Sequence, residues 1–266
     1  QGRRLSELTP MPETSFTVTQ SELTIVELGN SVPYTGKLTA LAKHDVLRII
    51  DKGLKNDARK AIDIEAYYQF DACKLRYAPT SGTSASSVTA TTNAATATTN
   101  NIAMGTGHVK AISDDMRERN IPGFVDDDYI ALSHPTTFRN FKNELETVRQ
   151  YTSEGQGMIY NGEVGRYEGV RFVEQNFIPK GGANDSTTFD PYTATADAWN
   201  NGKSSWAFFF GGDTVNEAMV IPEEIRAKLP GDYGRSGGIA YYYLGGFGIF
   251  HDQAAQSRIA KWDSAA

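Results

Sequence analysis

One segment dominates what this chain can become. From about Thr39 to Tyr77, apolar residues recur at three- and four-residue spacing: Leu47, Ile50, Leu54, Ala58, Ala61 and Ile62, then Ile64, Tyr68, Ala72 and Leu75. That period places them on one face of an amphipathic helix. Asp45, Lys52, Lys55, Asp57, Lys60, Asp63 and Glu65 form its charged outer face. A continuous helix of this extent would run roughly 50 Å at 1.5 Å per residue, far beyond the mean helix of globular proteins. Gly53 sits inside it, costs about 1 kcal/mol against Ala, and is a candidate bend point.

The flanks read differently. Pro10 and Pro12 bar a helix in the polar first 14 residues, which read as an extended arm. From Phe16 and Val18 onward, through Leu23, Ile25, Val26 and Leu28 to Tyr34 and Lys37, the pattern is β-like, with turns expected at Gly29-Asn30 and at Pro33 to Gly36. A hairpin or two-stranded loop of this kind is marginal alone and needs a partner surface. The apolar residues of this loop have no evident partner nearby in sequence.

After the long helix, Ser81 to Asn101 is low in complexity and reads as a surface loop. A helix follows at 106–120, with Val109, Ile112 and Met116 on one face, then a strand at 129–133. Another helix starts at Pro135, with Phe138, Phe141, Leu145 and Val148 as its buried stripe. Glycines at 162, 165 and 169 allow a tight winding backbone before a strand at 170–174. In that strand Val170 and Phe172 face one way and Arg171 and Val173 the other. Residues 177–201 read mostly as loop. Strands are expected at 205–210, at 218–221, as an antiparallel pair 239–244 and 248–251 around Gly245-Gly246, and at 258–262.

Bulk numbers narrow the function classes. At 266 residues the chain can bury a sizeable core, and 13 Phe, 13 Tyr and 25 Gly indicate a folded, loop-rich α+β protein. A net charge of −6, with no basic run longer than Arg3-Arg4, argues against the chain as a whole gripping nucleic acid. The single cysteine, Cys73, excludes an intrachain disulfide framework and argues against a thiolate zinc site. No apolar run approaches a membrane span, and the first segment lacks a signal-peptide layout. Gln1 at the start leaves a protease-generated terminus open.

Each candidate for chemistry meets a plainer reading. Gly234-Arg-Ser236-Gly-Gly238 matches the nucleophile-elbow pattern, but a turn precedes it and a Tyr-rich strand follows, where the motif needs a strand and then a helix. His44, His108, His134 and His251 lack metal-pair spacing. Asp126-Asp127-Asp128 lacks the alternation of a calcium loop and reads as a charged lead-in to a strand. Cys73 beside Ala72 and Leu75 reads as core. Glu163 and Glu168 could form a carboxylate pair, although Arg166 between them suggests local ion pairing. No catalytic residue, cofactor site or metal site is expected.

Three blocks carry a resemblance: Asp128-Tyr-Ile-Ala-Leu-Ser-His-Pro135, Gly162-Glu-Val-Gly-Arg-Tyr-Glu-Gly-Val-Arg-Phe-Val173 and Gln256-Ser-Arg-Ile259. With the order arm, extended loop, long helix, mixed region and late strands, the chain resembles major capsid proteins of tailed bacteriophages, of the podophage type. The resemblance implies an α+β fold of the Hong Kong 97 type. Its parts would be an N-terminal arm and extended loop over 1–42, a peripheral domain with the spine helix over 43–121 joined by a returning strand at 250–266, and an axial domain over 122–249. It implies a subunit that self-assembles into the pentamers and hexamers of an icosahedral head. That head encloses double-stranded DNA without sequence-specific binding, stands in the virion after assembly in the host cytoplasm, and uses no cofactor and no membrane. Decoration, scaffolding and portal proteins would be further partners. Candidate intersubunit contacts are Phe16, Val18, Leu23, Ile25, Val26, Leu28, Tyr34 and Lys37. The Ser/Thr/Ala stretch is longer and poorer in apolar residues than that family leads one to expect. Two rivals stand beside this reading: an encapsulin-like protein shell, and a soluble hydrolase using Ser236 and His251.

Overall fold

Two sheets organise the chain, and the long helix joins them. The computed structural model describes residues 20–80, 82–94, 102–125, 127–149, 165–175, 178 and 205–264. The expected arm, Phe16 and Val18, residues 95–101 of the low-complexity stretch, Glu163 with the start of the glycine block, and nearly all of 177–201 lie outside the described residues.

The first sheet has three antiparallel strands. Strand β1 (Val26–Thr35) pairs along its whole length with β9 (Ser236–Ile249), and β9 pairs in turn with β8 (Val215–Gly231). No local hairpin forms within 26–37: the partner of β1 lies some 200 residues away in sequence. Gly29-Asn30 and Pro33, expected as turns, run inside the strand. Proline is tolerated because β1 is an edge strand. At Gly29 the β9 backbone comes so close that a Cβ would stand 2.9 Å from the Tyr241 carbonyl oxygen.

Likewise, 239–244 and 248–251 are not two strands around a glycine turn. They are one strand, β9, that runs through Gly245-Gly246. These glycines serve close approach, since a Cβ on Gly246 would sit 2.1 Å from the Thr24 carbonyl oxygen. The reversal occurs instead at Asp232, Tyr233 and Gly234, all with positive φ.

The helical segment is shorter than its periodicity suggests. A short helix α1 (Gly36–Leu41) precedes α2 (Val46–Asp71), which runs unbroken through Gly53. Asp45 sets its start, its carboxylate accepting the backbone N–H groups of Leu47 and Arg48 at 3.1 and 3.2 Å. Its 26 residues span about 39 Å. Leu75, assigned to the helix by spacing, opens β2 (Leu75–Pro79) instead. Leu54 and Ala58 of α2 pack with Tyr241 against Ile50, Val32 and Ile239, covering one face of the three-stranded sheet.

The second sheet has seven strands in the order β3-β2-β10-β7-β4-β6-β5. These are β3 (Val88–Thr91), β4 (Tyr129–Ser133), β5 (Arg166–Tyr167), β6 (Val170–Glu174), β7 (Ser205–Phe210) and β10 (Ile259–Ser264) with β2. Part of the low-complexity stretch is thus an edge strand, with Val88 opposite Pro79.

Alternation along β7 divides the side chains between two cores. On one side Ala207 and Phe209 join Trp262, Leu75, Tyr77, Tyr129, Ala131 and Val170 beneath α3 (Thr106–Glu118) and α4 (Arg139–Arg149). Val109, Ile112 and Met116 of α3, and Phe138, Phe141 and Leu145 around α4, fill that core as their spacing suggests. On the other side Trp206, Phe208 and Phe210 meet Tyr67 and Phe70 from the end of α2.

The sheets cut across the three expected segments. Strand β10 lies parallel to β2, yet both share a sheet with β4, β6 and β7, while β8 and β9 leave that sheet for β1 and α2.

Candidate assembly surfaces

The glycine block builds a two-residue hairpin. Glu168 and Gly169 both take positive φ, at 51° and 73°, between β5 and β6, the geometry that suits a tight turn between twisted strands. The Glu168 carbonyl accepts hydrogen bonds from Ser113 Oγ at 2.9 Å and Arg117 Nη2 at 3.0 Å, so the turn is fastened to α3. Val170 is buried and Phe172 packs on Phe138 and Phe141, while Val173 is exposed.

Arg166 and Arg171 converge on Asp128, whose oxygens lie 2.6 and 2.8 Å from their guanidinium nitrogens. Burial alone would raise this carboxyl's pKa, but the hydrogen bonds and charges of the two arginines outweigh it and hold the value low. Arg166 therefore does not serve Glu168, which lies 3.9 Å from Lys110. Asp128, buried at the end of the aspartate run, is thus occupied by arginines rather than offered to a cation. Among the described residues no cluster of metal-ligating side chains occurs.

The remaining chemical candidates separate in space. Ser236 opens β9 and His251 follows its end, so about 45 Å of extended strand lies between them. A strand, not a helix, follows Ser236. The hydrolase arrangement does not form. His108 is fully buried against Trp262, accepting the Gly105 N–H on Nδ1 at 3.1 Å with Nε2 2.9 Å from the Gly82 carbonyl oxygen, and burial lowers its pKa. His44 is exposed, and His134 Nδ1 lies 2.7 Å from Thr136 Oγ1. His251 borders a cleft of about 470 Å³ lined also by Glu22, Gln69 and Asp252. Cys73 is buried, its thiol pushed up to about 11 chiefly by that burial.

A buried ionic group was not legible beforehand. Lys261 of β10 is fully enclosed, ion-paired with Asp71 at the end of α2, and lies 3.4 Å from the Trp206 ring centre. Asp263, also buried, accepts the Trp206 indole N–H at 3.1 Å and lies 3.9 Å from Arg76. Desolvation pulls the Lys261 pKa down, opposed by the Asp71 carboxylate. This group ties the long helix to the seven-stranded sheet.

The wing formed by α2 and the three-stranded sheet exposes what the body hides. Gly36 N–H bonds the Arg235 carbonyl at 2.9 Å, so α1 begins at the β8–β9 turn. Around this tip Leu38, Leu41, Leu229 and Tyr233 are exposed, the last completely, with Ile49 and Ile225 exposed further along. Such a collection on one end marks an interaction surface. Of the candidate contacts, Leu23, Val26, Leu28 and Tyr34 are half-buried, Leu23 beside Gly246 and Gly248 and Tyr34 beside Gly237 of β9. Ile25 and Lys37 are exposed. The missing partner of this loop is thus β9 of the same chain. The tip residues escaped notice because isolated apolar residues in a strand or short helix carry no sign of which face is covered.

Comparison with known proteins supplies the context. Residues 19–257 match the family model described as phage capsid protein. The fold is shared with the capsid of cyanophage P-SCSP1u (TM-score 0.65, 14% identity, 100% of this chain and 81% of the other). It is shared too with those of Helicobacter pylori bacteriophage KHP30 (0.62, 14%, 92% and 76%) and Ralstonia phage GP4 (0.62, 14%, 92% and 74%). No curated protein matches the chain. At these identities the structures speak for the fold, an α+β architecture of the Hong Kong 97 type, and the family match covers most of the length. This chain belongs to the phage capsid protein family.

Proposed function

We propose that the chain is the major subunit of an icosahedral head, forming pentamers and hexamers around double-stranded DNA. One observation carries this reading. Among the described residues the wing leaves Leu41, Leu229 and Tyr233 in solvent at one end, and α2 covers one face of its strands. In a monomer such surface is a liability; in a lattice of head-to-tail contacts it is where neighbours meet. Rings of five and six need slightly different angles, and a thin wing hung on a well-packed body supplies compliance.

In this reading the wing is the peripheral part and the seven-stranded body the axial part, so that 215–249 leave the expected axial segment 122–249 while β2, β3, α3 and β10 leave the expected peripheral segments 43–121 and 250–266. Exposed Ile25 and Lys37, flanking β1, contribute contacts to a neighbour, and Leu23, Val26, Leu28 and Tyr34, half-buried beside β9 of their own chain, add only their outer edges. The subunit's role is structural, without catalysis. Decoration, scaffolding and portal proteins would join a shell assembled in the host cytoplasm. An encapsulin-like shell would share the fold, and the nature of the packed cargo separates the two.

The test is assembly of the purified full chain, followed by sedimentation and negative-stain microscopy. Closed shells are expected, and Leu229→Ser with Tyr233→Ser should abolish them while leaving a folded subunit. A chain that stays monomeric at every concentration and salt would overturn the reading.

A further inference from the structure

We propose that His108 is an acid-sensitive latch: neutral, it fastens the Ser/Thr-rich loop before β3 to the first turn of α3, and protonated, it lets that loop go. The device lies within one subunit and needs no neighbour, so it stands apart from the shell reading.

The loop itself offers little apolar surface. Residues 82–86 are all exposed, Gly82, Thr83, Ser84, Ala85 and Ser86, and Val88 is partly buried only where β3 begins. Yet the loop lies tightly on α3. A Cβ on Gly107 would stand 2.3 Å from the Thr83 carbonyl oxygen, and one on Gly105 would stand 2.7 Å from the Thr83 Cβ. Both glycines therefore serve close approach. His108 closes this contact: its ring is fully buried and lies against Trp262, with ring centres 4.6 Å apart.

Hydrogen bonds fix the protonation of that ring. The Gly105 N–H, 3.1 Å from Nδ1, can only donate, so Nδ1 carries no proton. The Gly82 carbonyl oxygen, 2.9 Å from Nε2, can only accept, so Nε2 carries one and donates it. A neutral imidazole satisfies both neighbours at once. A second proton, on Nδ1, would face the Gly105 N–H donor against donor. It would also place a cation in the first turn of α3, where the helix dipole opposes positive charge.

The surrounding charges do not reverse this preference. Residues 82–87 carry no titratable side chain. From α4, Glu144 favours the cation, but its carboxylate accepts the Thr106 N–H at 2.6 Å. Asp115, two turns along α3, serves Tyr77 of β2 and Arg119. On β10, Lys261 and Asp263 alternate away from Trp262 and face Trp206. The Trp262 ring face would welcome a cation, and so would the Gly82 carbonyl. Burial is nonetheless the largest influence and holds the His108 pKa below its ordinary 6.5. An opened loop returns the ring to that ordinary value. Closure is therefore fully favoured above pH 6.5 and is lost as pH falls through the lower, closed-state value.

The test is hydrogen–deuterium exchange of the unassembled full chain at about pH 7.5 and about pH 5, corrected for intrinsic rates, on peptides covering 82–91 and 129–133. At the lower pH wild type should lose protection over 82–91 by up to about thirty-fold, the ratio that a histidine released to its ordinary 6.5 allows. The core strand 129–133 should stay protected. His108→Asn keeps an acceptor for the Gly105 N–H but is too short to reach Gly82, so its 82–91 region should exchange fast at both pH values. His251→Gln removes the other histidine whose pKa burial lowers, and should respond as wild type does. An acid response surviving in His108→Asn or missing from His251→Gln, no response in wild type, or an equal loss over 129–133 would each overturn the latch. Should His108→Asn fail to fold, wild type and His251→Gln still decide. The measurement is made on single subunits, so whether shells form bears only on the shell reading.

Discussion

Phe209 and Leu229 are both large apolar residues on β-strands, yet the first is fully buried and the second is 87% exposed. The contrast extends to their surroundings. Among the described residues Phe209 belongs to a cluster of 17 buried residues beneath α3 and α4, whereas the cluster under the wing has three, Leu54, Ala58 and Tyr241. The body can satisfy itself; the wing is half of an interface. A subunit that must close rings of different size gains from this division, because rigidity in one part lets many angles be tried in the other without unfolding.

The sharpest way to break the comparison is a matched pair of substitutions. Phe209→Ala should cost about 3–5 kcal/mol through lost burial and the cavity left behind. Leu229→Ser should change subunit unfolding by no more than about 0.5 kcal/mol, as exposed substitutions do, and yet suppress assembly. Urea unfolding of the dissociated subunit and particle yield by sedimentation measure the two effects. Equal losses of stability would show that the wing is packed within the monomer after all.

A smaller effect is expected where the two parts meet. Lys261→Met should cost about 3 kcal/mol, since removing one member of a buried ion pair strands its partner charges. Asp71 would lose its cation and buried Asp263 a nearby positive charge. Substituting Lys55 on the wing, whose pair with Asp51 is exposed, should cost less than about 0.5 kcal/mol. Denaturant titrations of both variants decide it, and a Lys261→Met protein as stable as wild type would mean that the group contributes nothing to joining the parts.

The same contrast governs what the sequence reveals. In the body, period and burial coincide: Val109, Ile112 and Met116, or Val170 and Phe172, announce their faces because those faces are covered locally. In the wing, the pairing that decides everything joins Val26–Thr35 to Ser236–Ile249, and nothing in either segment names the other. Gly245-Gly246 looks like a turn because glycine signals both reversal and close approach, and only the crossing of Thr24 shows which. Leu75 continues a helical stripe by spacing but obeys the sheet, because β10 offers it a ladder. Lys261 reads as a surface lysine until Asp71, 190 residues away, meets it.

Acid should loosen the body through Asp128. Its folded pKa lies below the ordinary 3.8 because Arg171 and Arg166 favour the carboxylate more than burial opposes it. The stabilisation is therefore fully present above that ordinary value and is lost as pH falls through the lower, folded one. Wild type and Asp128→Asn should differ most in unfolding free energy above about pH 5 and converge below pH 3.8. A gap that stays constant across that range would remove the ion pair as its cause.

The smallest effect tests whether the wing's compliance resides in its helix. Gly53 lies exposed inside α2, and a Cβ built there meets nothing within 4 Å. Gly53→Ala should therefore stabilise the subunit by about 1 kcal/mol, raising the melting temperature by about 2–4 °C. If Gly53 lets the helix bend differently among copies in a ring of five and a ring of six, the stiffer variant should assemble less faithfully, giving aberrant or single-sized particles from a more stable subunit. Should Gly53→Ala raise the melting temperature and leave the particle population unchanged, the bend lies elsewhere, and the junction of α2 with β10 at Lys261 becomes the place where the angle is set.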